Sequence, residues 1–163
     1  MKEAIVNIFG DFAGIIIFFH VISAVIWVGG MIIVRFAVHS AMQDIKEPQI
    51  KLGISLKYIK NLLNMVRPLI GLLLVTSVFM TIGFGFKGTP LSPVAHTKEA
   101  IWLIMTVLFI VIYLKRNTAQ KFYDQGDYKS VKQTLAPLTL FLIPTNIILG
   151  LIAIYLGITL RGF

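Results

Sequence analysis

The side chain best placed to do chemistry in this chain is His20. It stands inside a run with no formal charge over the 23 residues Phe12–Val34, FAGIIIFFHVISAVIWVGGMIIV. Neutral imidazole ligates haem iron and other transition metals through either ring nitrogen. An ionisable group at that depth is unfavourable against hydrocarbon, so His20 is predicted to face a packed interior, a cofactor or trapped water. At roughly 100° per residue, His20, Ala24, Trp27, Met31 and Arg35 share one broad helix face, with Ser23 and Gly30 on its flank. His96 and Met80 are the other candidate metal ligands, an imidazole and a thioether. His39 follows Arg35 by one helical turn. That pair reads either as an anion site for a propionate, phospholipid or carboxylate, or as two side chains snorkelling at the headgroup level.

What the chain lacks narrows the chemistry. With no cysteine there are no disulfides, thiolate metal sites, iron–sulfur clusters or covalently attached c-type haem. Two bis-histidine haems need more than the 3 histidines present, so that version is excluded. Met31, Met42, Met65, Met80 and Met105 are scattered and do not form the clusters of a methionine-lined copper path. No Ser/His/Asp set or carboxylate pair is in place for hydrolysis; Glu99 and Asp11 are the acids nearest the outer histidines.

The elements that must hold these residues are transmembrane helices. The hydrophobic fraction is 57%, against about 45–50% in soluble domains, and the mean hydropathy is +0.87. Four long apolar runs predict an all-α fold, an integral membrane four-helix transmembrane bundle forming one domain over 1–163. The spans are predicted near 12–34, 68–86, 93–114 and 137–160. The first is about 35 Å long at helical rise, enough to cross a hydrocarbon core of about 30 Å with some tilt. It is too long for a signal peptide, and no A-x-A-like site closes it.

Residues 1–11 are expected to lie at the interface or to extend the first helix. LGISLKYIKNLLNMV reads as an interfacial helix feeding the second span, with Pro68 in that span's first turn. Ser92-Pro93 reads as a cap and first-turn proline for span three, Gly126 as a helix stop, and Pro144 as a kink in span four. Asn146, Gly150, Ala153 and Gly157 form a small-residue seam for a neighbouring helix.

The formal charge of +8 does not point to nucleic acid, because the basic residues fall between the apolar runs. Arg35, Lys46, Lys51, Lys57, Lys60 and Arg67 flank or fill the first long connection; Lys115, Arg116, Lys121, Lys129 and Lys132 fill the second. Only Lys2, Lys87, Lys98 and Arg161 lie opposite. The bias predicts a multi-pass protein of a bacterial-type inner (cell) membrane, with both termini outside and the long connections in the cytoplasm. In that topology His20 lies at about 12 Å depth and Met80 at about 9 Å, by helix rise from the outer side. His96 lies a turn into span three. One outer-side pocket therefore pairs His20 with His96, or with Met80, around one haem b, with Trp27 and the Phe18/Phe19 pair as aromatic wall.

His20, Trp27, Gly29-Gly30 and Arg35 resemble the first span shared by HemJ-type membrane protoporphyrinogen IX oxidases and CopD-type copper-resistance membrane proteins. His96-Thr97-Lys98 resembles the H-x-K opening a later helix of the HemJ type. The chain departs from that type at Tyr113-Leu114, where a Tyr-His pair is expected, and at Ile143-Pro144-Thr145-Asn146, where Asn-Glu-x-Pro is expected. The resemblance implies haem b on His20 and His96, with Trp27 on the porphyrin and Arg35 or Lys98 answering carboxylates. The expected activity is electron carriage or protoporphyrinogen-oxidase-like redox chemistry in the bilayer, with a porphyrin or quinone-type redox partner and room for a homo-oligomer. Two alternatives stay open: a CopD-like copper-handling protein using His20, His96 and Met80, and a ligand-free structural subunit.

Overall fold

In the computed structural model, residues 2–86 and 88–161 are described. Lys87, counted above on the outer side, and Met1 of the N-terminal stretch lie outside the described residues. Helix α1 (Lys2–Ile33) absorbs the amphipathic N-terminal stretch as an extension of the first span. Its one departure from helical dihedrals is Phe12 (φ −121°, ψ 18°), between Gly10 and Gly14, whose weak helix propensity lets the rod bend there. A π-turn (Val34–Val38), α2 (His39–Ala41) and a 3-10 turn (Met42–Asp44) carry it to the first connection.

The next helix corrects one expectation. There is no separate interfacial helix: α3 (Pro48–Gly83) is one rod of 36 residues running straight through Pro68. Pro48 holds the first-turn position, where a missing N–H is harmless. Pro68 forfeits one internal bond, and the rod is held across it by Leu62, Leu63 and Val66, all buried one turn or so before it. The rod stops at Gly83, short of Phe86. Helix α4 (Ser92–Asp124) has Pro93 in its first turn, but Ser92 is not its cap. The hydroxyl of Thr89 organises that turn instead, donating to the Phe86 carbonyl at 2.7 Å and accepting from the Leu91 amide at 3.3 Å. The helix then runs well past Leu114.

Gly126 ends it in the left-handed region (φ +77°), where a Cβ would be strained. Asp127 then caps α5 (Tyr128–Pro137), accepting from the Ser130 amide at 3.1 Å. Side-chain and amide hydrogen bonds from Ser130 favour the ionised carboxylate and hold its pKa below the usual value. The stability it adds is therefore complete above the ordinary Asp pKa of about 3.9 and is lost as pH falls through the lowered folded value. A carboxyl-carbon NMR titration should give Asp127 a midpoint below that ordinary value, raised part of the way back in Ser130→Gly, which removes the hydroxyl but keeps the amide donor; an unshifted wild-type midpoint would refute the cap's role.

A π-turn (Leu138–Leu142) joins α5 to α6 (Ile143–Thr159). This is the local break expected at Pro144, whose ring would otherwise press on the Leu140 carbonyl one turn back. Among the described residues four helical segments are long and apolar enough to cross a membrane: Glu3–Asp44, Pro48–Gly83, Ser92–Asp124 and Tyr128–Thr159. Large apolar side chains such as Phe36, Leu103, Leu114, Phe141 and Ile148 point outward. That pattern suits lipid, because apolar side chains can face hydrocarbon while the helix satisfies its own backbone. The protein is an all-α four-helix transmembrane bundle.

The rods form a ring in which α1 meets α3, α3 meets α4, α4 meets α6, and α6 meets α1. The start of α1 and the end of α6 lie at one end, the termini end, and the two long connections at the other. The connection end holds the dense core: Leu56, Ile59, Leu63 and Val66 from α3, Ile112 and Ala119 from α4, and Val131 and Leu135 from α5. At mid-bundle α1 and α3 approach so closely that a Cβ on Gly30 would sit 2.8 Å from Leu62 Cδ1. Toward the termini Phe9 of α1 packs against Gly83 of α3, where any side chain would strike the ring. Gly83→Leu should therefore lower stability by about 1–3 kcal/mol, measured by unfolding in detergent; an unchanged midpoint would show that Phe9 moves aside freely.

Candidate functional site

Side chains fill much of the connection end, and toward the other end α1, α3, α4 and α6 line a partly open cavity of about 880 Å³. Its wall is apolar apart from a few groups. His20, Ser77, Thr81, His96, Lys98, Glu99 and Arg161 supply the polar ones, and Trp27, Met80 and Trp102 are also part of the wall. On the α6 side Gly150 lets that helix pack tightly on α1 and α4 at the cavity wall, since a Cβ there would lie 2.5 Å from Val28 Cγ2 and 3.2 Å from Met105 Cε.

His20 is 9% exposed and Ser23 beside it is fully buried. The His20 Nδ1 lies 2.9 Å from the Thr76 Oγ1 of α3, and no described residue bonds its Nε2. On the same face Trp27 (1% exposed) meets Phe109 edge-on at 6.3 Å, and Met31 packs in the core. Trp27 Nε1 is buried without a hydrogen-bond partner, as is Trp102 Nε1. Both rings line the cavity, so both N–H groups are donors with nothing to bind.

His96 lines the rim. Its side chain is 70% exposed and its Nδ1 lies 3.2 Å from Glu99 Oε2. Both cavity histidines thus have Nδ1 engaged and Nε2 unused. Lys98 crosses to α6, where its Nζ lies 3.1 Å from where a Cβ would stand on Gly157. It makes no ion pair among the described residues. Arg161 joins it on the wall, with its Cζ 5.5 Å above the Phe84 ring. The small-residue seam has two uses: Asn146 anchors it to α4 through the Met105 carbonyl at 3.2 Å, while Gly150, Ala153 and Gly157 line the cavity.

Two expectations fail here. Arg35 is not in the cavity; it lies toward the connection end with its Cζ 5.8 Å from the Phe36 ring. Phe18 and Phe19 are no aromatic wall either, since both point outward and meet each other edge-on. Trp102 and Arg161 take those places. Among the described residues no group of three or more His, Asp or Glu side chains gathers to hold a bare metal ion. No protein-family model, no curated protein and no solved structure matches this chain.

Proposed function

We propose that this chain binds one haem b in the cavity at its termini end and serves as a membrane electron carrier or a protoporphyrinogen-oxidase-like redox protein. One observation carries the reading: a buried histidine, held by Thr76 through Nδ1, stands in the wall of a large apolar cavity with its Nε2 uncommitted. The residues fit the group. The volume of about 880 Å³ lies within the usual range of about 300–1,000 Å³ for ligand sites. A haem needs only one or two protein ligands, which His20 with His96 or Met80 could supply from the cavity wall.

In this reading His20 would be the primary iron ligand and His96 the second, with Met80 the other candidate on the same wall. Bound there, haem supplies a one-electron redox centre. The protein residues bind and orient it: Trp27 and Trp102 present aromatic surface and N–H donors, Lys98 and Arg161 answer the carboxylates, and the packed connection end shields one side from water. The positive-inside bias supports an outer-side location for the cavity and both termini in a bacterial-type inner membrane. Partners follow from that placement: the lipid bilayer, and a porphyrin or quinone-type redox molecule reaching the cavity.

The test is a visible spectrum of the detergent-purified protein from haem-replete cells, oxidised and then dithionite-reduced, with a haem titration of any apoprotein. A Soret band with sharp reduced α and β bands is expected. A colourless protein that fails to take up haem overturns the reading, and copper bound without a porphyrin spectrum replaces it.

A further inference from the structure

We infer that Thr76 is a positioning residue that fixes the tautomer of His20, keeping the proton on Nδ1 and Nε2 free for a ligand. The inference starts from counting protons. The Thr76 Oγ1 lies 2.7 Å from the Leu72 carbonyl and 3.2 Å from that of Leu73, both in its own helix. A carbonyl only accepts, so a 2.7 Å contact is a hydrogen bond only when the threonine hydroxyl donates it. The hydroxyl has one proton, and it is spent there.

The same oxygen lies 2.9 Å from His20 Nδ1, and with its proton committed it can only accept. Nδ1 must then carry the N–H. The opposite tautomer would leave Nδ1 and the Leu72 carbonyl competing for one proton, with one pair of lone pairs in unrelieved contact inside a buried site. So α3 donates nothing to the ring; it takes the Nδ1 proton and turns Nε2, the unprotonated nitrogen, toward the space beside it. A ligating histidine commonly has its second nitrogen bonded in this way, which fixes both ring orientation and tautomer.

The geometry also explains why a threonine serves. The β-branched side chain has few rotamers in a helix, and the back-bond to Leu72 selects one of them. An aspartate at this place would also accept from Nδ1, but would bury a charge among apolar neighbours. The consequence for haem affinity rests on the proposed function. The tautomer itself does not.

The experiment uses the full chain, labelled with 15N-histidine, in detergent and without added haem, at a pH where the rings are neutral. Two-bond nitrogen–proton correlations separate the two neutral tautomers, and His20→Gln assigns the His20 signal among the three histidines. Wild type and Thr76→Ser should both show Nδ1–H, the serine keeping the acceptor. Thr76→Val, similar in shape but unable to accept, should lose the single tautomer; near-wild-type signals from His39 and His96 would show that it folds. An Nε2–H tautomer in wild type overturns the inference, as does an Nδ1–H tautomer unchanged in Thr76→Val. In a parallel haem titration Thr76→Val should bind roughly 10-fold more weakly than wild type, with Thr76→Ser close to wild type. A wild type that binds no haem but shows the Thr76-dependent tautomer overturns the proposed function and upholds this inference.

Discussion

His20→Ala is expected to abolish haem binding, with affinity falling by at least about 100-fold, since losing a mere partner of a ligating residue can cost that much. His96→Ala is expected to retain the haem and convert a low-spin spectrum to a high-spin one. The difference follows from where the two rings sit. His20 is almost wholly buried and held at Nδ1 from a second helix, so its ring is preorganised before any ligand arrives. His96 is 70% exposed and held only by Glu99 from its own helix, an i,i+3 contact that solvent screens. Removing His20 also leaves a gap beside Ser23 and Thr76 that a small exogenous ligand can enter. His20→Gly should therefore recover a Soret band when imidazole is added, as a merely destabilised variant would not. A wild-type spectrum and affinity in His20→Ala would remove this residue from the site. Loss of haem in His96→Ala, with His20→Ala unaffected, would reverse the two roles.

Much of this arrangement was legible in the sequence, and the parts that were not share one physical cause. The face of His20, Ala24, Trp27 and Met31 follows from a local period of 3.6 residues, and the helix realises it. Gly126 and Pro144 punctuate the chain as expected, because a left-handed turn and a missing N–H are local properties. Thr76 was readable only as a hydroxyl bonding back to its own helix. Its contact with His20 is 56 positions away in sequence, and no local period reports a pairing between helices. Phe18 and Phe19 illustrate the converse: they neighbour His20 in the chain but project to the other side of α1. Trp102 and Arg161 enter the site from α4 and the end of α6 for the same reason that Thr76 does, namely the order of rods around the ring. Pro68 misleads differently. Local chemistry favours a helix start there, and the buried turn that precedes it overrides that preference.

Arg116 carries the second large effect, in the half of the bundle away from the cavity. By sequence it is one more basic residue of a long connection; in the fold it is only 7% exposed. Its Nε donates to the Leu56 carbonyl of α3 at 3.2 Å, its Nη1 to Asn117 Oδ1 at 3.2 Å and its Nη2 to Gln120 Oε1 at 2.7 Å. Gln120 passes the chain on, donating to Asp124 Oδ1 at 2.9 Å. No carboxylate stands within ion-pair distance of the guanidinium among the described residues. The side chain is therefore a strut between α4 and α3 whose direct partners are all dipoles, with the Asp124 carboxylate one hydrogen bond further out. Arg116→Ala deletes a long apolar stem beside fully buried Ala119 and leaves the Leu56 carbonyl without its cross-helix donor. The expected loss is about 3 kcal/mol, within the range for large-to-small changes in a packed core. Arg116→Met keeps the stem and removes a buried charge with no directly paired carboxylate, so it should change stability by less than about 1 kcal/mol. Equilibrium unfolding in detergent separates the two, and Met as damaging as Ala would show that the hydrogen bonds, not the packing, hold the strut. Neither variant should shift the haem spectrum of the folded fraction, because the strut and the cavity occupy opposite ends of the bundle. A spectral shift in Arg116→Met would instead mean that the packing of the connection end sets the spacing of the helices around His20.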